Sequence, residues 1–225
     1  MHLLTKEIIA IYTANQDPVR AVGMAAYMKN HFSFLGISAK DRRTLIKEQM
    51  KASKNLELAE LFQVFEALYQ QEAREYHYAA IDLLERNIKR IPNDMTAILP
   101  YLAFIQEKAW WDSVDALRKP ISLWVKHHQK SPLAEVMNWL MASENMWDRR
   151  VAITLQLQWK EETDLDWLSK TIVQNEENPT FFIQKGIGWA LREYAKTDAT
   201  WVINFVAAHQ AKLTPLAVKE ALKHQ

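Results

Sequence analysis

Asp115 stands one helical turn after Trp111 in the run Trp110-Trp111-Asp112-Ser113-Val114-Asp115. A carboxylate beside an indole ring is a seat for positive charge. The carboxylate supplies Coulomb attraction, and the ring face adds about 0.5–2 kcal/mol. Farther along, Phe182, Lys185, Trp189, Arg192 and Lys196 recur at steps of three and four residues, so they share one helix face. Large aromatics interleaved with cations suit a surface of phosphates and sugars. An acid in such a surface is electrostatically out of place unless the ligand brings a positive charge of its own. The plainer reading of Asp115 is a salt bridge to Arg118, three residues on. The plainer reading of the three cations is a solvated face.

A purine alkylated at N3 or N7 is a ligand of that kind. Its departure from deoxyribose leaves positive charge on the sugar, which Asp115 would stabilise while positioning water. The base leaves neutral, so one carboxylate suffices, unlike the acid–base pairs of ordinary glycosidases. At ~4 Å and an effective dielectric of about 20, the gross attraction is about 4 kcal/mol. Felt only in the transition state, it would be worth ~10³ in rate. Asp112 falls in the first turn of its helix and reads as structural. No metal site is expected: the chain has no cysteine and no His-Glu-x-x-His, and adjacent His127 and His128 point to different helix faces. His31 and His77 read as surface or capping residues. No cofactor is expected either, as there is no Gly-rich phosphate loop, and nothing singles out a nucleophilic lysine.

The elements that must position these residues are helices. Among 225 residues there are only 4 Gly and 7 Pro, against an all-β fold, and 9 Trp, which suits a packed core. The formal net charge of +1 excludes a uniformly basic surface, so a nucleic-acid partner must be held by a local patch. Absence of cysteine suits a reducing cytosol. Lys6 and Glu7 interrupt the first apolar pattern, so His2–Tyr12 is not expected to be a signal peptide, and no run is long enough for a membrane span. About a dozen helices of 10 to 18 residues are expected. Asp17-Pro18, Ser131-Pro132 and Thr214-Pro215 read as starts, and Ser38 with Asp41 resembles a capping box. Asn55, Asn93, Thr163 and Thr197 are further cap candidates. Core stripes are Leu58, Leu61, Phe62, Phe65, Leu68 and Tyr69, and Met95, Ile98, Leu99, Leu102 and Ile105. Ile183, Ile187, Ala190, Leu191 and Tyr194 form another, as do Trp110, Val114 and Leu117. Phe32–Ile37 reads as an apolar loop. Gly186 and Gly188 inside a helix point to close approach of a helix or ligand.

Tyr76, Trp111, Trp147 and Phe182 recur at a spacing of about 35 residues. A constant period of that size without β signals marks stacked helix pairs. The expectation is an all-α fold, a single domain over residues 1–225: a curved solenoid of antiparallel helix pairs whose concave face is the binding groove. Arg150 follows Trp147 at the offset by which Lys185 follows Phe182, so both are expected on one face.

Three stretches carry a family resemblance: Ala26 to Phe32 with Phe34 to Ile37, Trp110 to Asp115, and Phe181 to Lys185 through Trp189 to Lys196. With them the chain resembles, over nearly its whole length, the AlkD family of DNA alkylation repair enzymes, built from HEAT-like repeats. The resemblance implies a DNA glycosylase that removes N3- and N7-alkylpurines such as 3-methyladenine and 7-methylguanine from double-stranded DNA. It implies that this happens without flipping the base into a pocket, unlike most glycosylases. By matching position, Asp115 is the implied catalytic acid, and Trp111 and Trp189 are the implied cleft tryptophans. Contacts to DNA are implied for Tyr27, Arg150, Phe182, Lys185, Arg192 and Lys196. Ser38-Ala39-Lys40 departs from the family pattern by lacking a side-chain amide. An intact N-terminal helical pair favours activity, since some relatives lacking part of it are not glycosylases. A monomer in a bacterial-type cytoplasm is expected. Two other classes fit the residues: a DNA-binding repeat protein without catalysis, and a protein-binding repeat scaffold. The latter predicts no concentrated cation stripe.

Overall fold

The computed structural model describes residues 1–223 of the chain. Fourteen α-helices of 6 to 17 residues, four short 3₁₀ turns and no strand make up the described residues. The chain separates into two compact units, Met1–Pro92 and the remainder from Asn93.

The first unit contains α1 (Leu3–Ala14), α2 (Pro18–Tyr27), α3 (Ala39–Leu45), α4 (Lys47–Ala52), α5 (Leu58–Tyr69) and α6 (Arg74–Asn87). The α5 stripe packs as its spacing requires: Leu61, Phe65, Leu68 and Tyr69 are buried, against α6 and α1. Leu58 and Phe62 are half-buried at the stripe's edge. Phe32–Ile37 is the loop expected, and α6 holds it. Glu75, fully buried, accepts from the backbone N–H of Leu35 (2.9 Å), Gly36 (2.9 Å) and Ile37 (3.2 Å). Next to it the Arg74 guanidinium lies 3.7 Å from the Phe32 ring centre. Gly36 has φ of +87°, and a Cβ there would fall 2.0 Å from the Asp17 carbonyl oxygen, so only glycine lets the loop abut the start of α2. His77 is a correction to the sequence reading. It is fully buried, its Nε2 is 2.8 Å from the Gln71 carbonyl oxygen, its Nδ1 is 3.1 Å from Arg74 Nη1, and its ring stacks on Tyr69.

The second unit contains α7 (Met95–Leu102), α8 (Trp111–His127), α9 (Leu133–Ala142), α10 (Met146–Thr154), α11 (Leu165–Val173), α12 (Phe181–Tyr194), α13 (Ala199–His209) and α14 (Pro215–Ala221). Within this unit α8, α10, α12 and α14 contact one another in succession, and α9, α11 and α13 alternate with them along the chain and pack against them. This is the succession that the 35-residue period demands. Each recurring aromatic sits within the first three residues of α6, α8, α10 or α12. Ile183, Ile187, Ala190 and Leu191 of α12 enter a core with Leu168, Ile172, Val202 and Ala217, while Tyr194 lies at its edge. Ile98, Leu102 and Ile105 are buried as expected, but Leu99 is exposed. The α-helix also stops at Leu102, two residues past Pro100, and Ala103–Ile105 is a 3₁₀ turn. Asp17 and Thr214 cap their helices with Pro at the first position, and Ser38 caps α3. Elsewhere the cap is the neighbour of the residue expected: Asp94, Asp164 and Asp198 accept from the helix amides, in place of Asn93, Thr163 and Thr197. Glu57, paired with Glu60, opens α5 in place of Asn55, and Ser131-Pro132 supplies no side-chain cap to α9. Among the described residues, no helix is long and apolar enough to cross a membrane.

Candidate active site

Trp111 opens α8 and Asp115 follows one turn later, both half-buried, while Val114 and Leu117 point into the core. The partner of Asp115 is Arg150 on α10, not Arg118. Arg150 Nε donates to one carboxylate oxygen at 2.9 Å and Nη2 to the other at 2.8 Å. This parallel fork is the strongest geometry available to such a pair. Arg150 is held from behind as well: Nη1 donates to the Phe182 carbonyl oxygen at 2.6 Å. Gly186 leaves the space, since a Cβ there would lie 3.3 Å from Nη1. The side chain is only 7% exposed, against 18% for Asp115. The Arg150 guanidinium carbon lies 5.9 Å from the Trp189 ring centre, so Asp115, Arg150 and Trp189 form one connected group across three helices.

The face of α12 emerges as its spacing predicts. Phe182, Lys185, Trp189 and Arg192 are half-buried and Lys196 is exposed. Its cations have acidic neighbours that the sequence reading did not include. Glu220 of α14 bonds Lys185 Nζ at 2.8 Å through one carboxylate oxygen and Arg192 Nη1 at 2.5 Å through the other. Lys196, in the turn after α12, meets Glu193 of the helix's last turn at 2.5 Å. The two bonded cations hold the Glu220 carboxyl far below the usual carboxylate range, at about 2. Glu220 was findable. Asp115, Arg150, Lys185 and Glu220 are each 35 residues apart, the period of the repeat. The outer members pair with the inner ones, Asp115 with Arg150 and Lys185 with Glu220.

The aromatics divide differently from their expected roles. Trp147 is buried, and its ring centre lies 6.1 Å from that of Trp110 and 5.0 Å from that of Phe182. Trp110 and Phe182 are 5.1 Å apart, closing a cluster over the starts of α8, α10 and α12. Trp110, expected to be core, is therefore a half-buried member of this cluster, and Phe182 is in part a packing residue. Gly188 answers the other half of the glycine question. A Cβ there would fall 2.4 Å from Glu220 Cβ, so it is the point where α14 presses on α12.

A family model described as DNA alkylation repair enzyme matches residues 8–225. The chain belongs to the DNA alkylation repair enzyme family. A solved protein of Enterococcus faecalis, described as a predicted DNA alkylation repair enzyme, is 42% identical; the match covers 93% of this chain and 96% of that one, with a TM-score of 0.88. Two Streptococcus mutans structures, smu.31 and AlkD2, share the fold at 18% identity and a TM-score of 0.63. Each of those matches covers 80% of this chain, with 92% of smu.31 and 89% of AlkD2. No curated protein matches the chain.

For this member of the family, the second unit carries Trp111 and Asp115 on α8, Arg150 on α10, and Phe182, Lys185, Trp189 and Arg192 on α12, with Lys196 two residues past its end. Tyr27 belongs to the first unit. It is the last residue of α2, 70% exposed, beside a shallow hollow lined by Val19, Gly23, Met24, Phe34 and Tyr78.

Proposed function

We propose that the chain is a DNA glycosylase that hydrolyses the N-glycosidic bond of cationic N3- and N7-alkylpurines in duplex DNA. The observation that carries this reading is the Asp115 carboxylate, fixed by Arg150 and left 18% exposed. A carboxylate has about four acceptor positions, and the fork to Arg150 takes two. The other two can face a developing positive charge on the sugar or hold the attacking water. Trp111, one turn before Asp115, and Trp189, whose ring centre lies 5.9 Å from the Arg150 guanidinium, would favour a cation through their ring faces. Lys185, Arg192 and Lys196 take the phosphates, and Phe182 and Tyr27 supply apolar contact with the duplex. The lesion is reached at its sugar without a base-flipping pocket.

Arg150 alters the electrostatics of this scheme. A substrate cation ~4 Å from Asp115 gains about 4 kcal/mol at an effective dielectric of about 20. The guanidinium behind the carboxylate, at about twice that distance, takes back roughly 2 kcal/mol. The net of roughly 2 kcal/mol is worth ~30-fold in rate, not ~10³. In exchange Asp115 is held in place before substrate arrives, which is how a fixed dipole favours a transition state. With Nε, Nη1 and Nη2 all engaged, Arg150 acts here as a positioning residue for Asp115.

The test is release of 7-methylguanine from methylated duplex DNA by the pure protein. Free base released with multiple turnovers and without added metal supports the reading. Tight duplex binding with no release would instead favour a DNA-binding protein without catalysis.

A further inference from the structure

Glu220 has no part in the scheme above, and we propose that it limits the grip of Lys185 and Arg192 on DNA phosphates, keeping non-specific binding weak. The proposal rests on the reading of the α12 face as a phosphate surface. Its carboxylate offers one oxygen to Lys185 Nζ (2.8 Å) and one to Arg192 Nη1 (2.5 Å), as the two free oxygens of a phosphodiester would. Its backbone carbonyl oxygen accepts from the same Arg192 nitrogen at 3.2 Å. The acid is built in. Gly188 lets α14 press close on α12: a Cβ there would fall 2.4 Å from Glu220 Cβ, so Glu220 starts right beside the α12 cations. Bonded to both cations, Glu220 is held charged well below neutral pH.

Phosphates therefore meet three groups carrying one net positive charge, where the sequence alone suggests two cations at full strength. Lys196 differs. Its acid is only three residues away and Lys196 is 66% exposed, so water screens the pair and the lysine is readily given up to a ligand. A repair enzyme searches a large excess of undamaged DNA, where each additional phosphate neutralised steepens the salt dependence by about 0.9 in log–log slope.

The experiment is anisotropy titration of an undamaged duplex at several salt concentrations. The proteins are wild type, Glu220→Gln, Lys185→Gln/Arg192→Gln, the triple combination, and Glu135→Gln as a charge control on α9. Glu220→Gln is expected to tighten binding about fivefold near 0.1 M salt and to steepen the slope by up to about 1. Glu135→Gln should do neither, and the tightening should vanish when Lys185 and Arg192 are also replaced. Glu220→Asp, which keeps the charge but shortens its reach, should shift binding the same way by less, and guards against a folding defect in the Gln variant. Unchanged or weaker binding by a folded Glu220→Gln, while Lys185→Gln/Arg192→Gln still weakens it, would overturn the proposal alone. Unchanged binding and slope in Lys185→Gln/Arg192→Gln would instead overturn the phosphate reading of α12, and this proposal with it.

Discussion

Gly186 governs Asp115 from a helix that Asp115 does not occupy. The space above its Cα holds Arg150 Nη1, and Arg150 in turn holds the carboxylate. Gly186→Ala gains ~1 kcal/mol of helix propensity. Crowding the guanidinium costs about 1–3 kcal/mol. Thermal unfolding should therefore change little, while single-turnover excision of 7-methylguanine falls several-fold because the Asp115 fork is displaced. Excision equal to wild type would show that the position of Arg150 does not matter to the reaction. At this scale the sequence was half legible. Asp115, Trp111 and Trp189 could be singled out by residue type and spacing. The partner of Asp115 could not, because i,i+3 spacing on one helix favours Arg118 and the actual bond crosses to a helix 35 residues away.

The first turn of α6 does for the N-terminal unit what α10 does for the second: it places charged side chains under a neighbouring segment. Glu75 takes three backbone N–H donors of the loop from Leu35 to Ile37, which has no other regular structure. Glu75→Gln replaces one accepting oxygen by a donor facing an N–H. The expected loss is about 2–4 kcal/mol, read from the urea midpoint. A midpoint unchanged within error would mean that the loop is held by its other contacts, such as the Asp17 N–H on the Leu35 carbonyl and the Arg74 N–H on the Ser33 carbonyl. Helix stripes in α5 and α12 were readable because burial imposes a 3.6-residue period on the sequence. Cap positions were less so. Asn93, Thr163 and Thr197 each precede an Asp, and all are capping types. Which one caps depends on which adopts the extended backbone, and tertiary packing decides that. His77 was misread for a related reason: its partners, Gln71, Arg74 and Tyr69, are only brought around it by the turn between α5 and α6.

Across the second unit the charges at Asp115, Arg150, Lys185 and Glu220 run negative, positive, positive, negative at one repeat position. Two like charges on adjacent rungs are tolerable because each has an acid on its far side, at 2.8 Å in both pairs. The period was legible in the aromatics, and the all-α succession of helix pairs followed from it. The charge ladder was legible by the same arithmetic, but pairing needs the register of helices packed side by side, which spacing alone does not fix. Asp115, held by Arg150, is proposed to lower the barrier by meeting positive charge. The direct test is single-turnover excision by wild type and Asp115→Asn on duplexes carrying one 7-methylguanine or one neutral 1,N6-ethenoadenine. Wild type should excise the cationic lesion much faster than the neutral one. Asp115→Asn should lose about 10- to 100-fold on 7-methylguanine, from a net stabilisation of roughly 2 kcal/mol. An Asp115→Asn rate within threefold of wild type, or equal wild-type rates on the two lesions, would contradict the account.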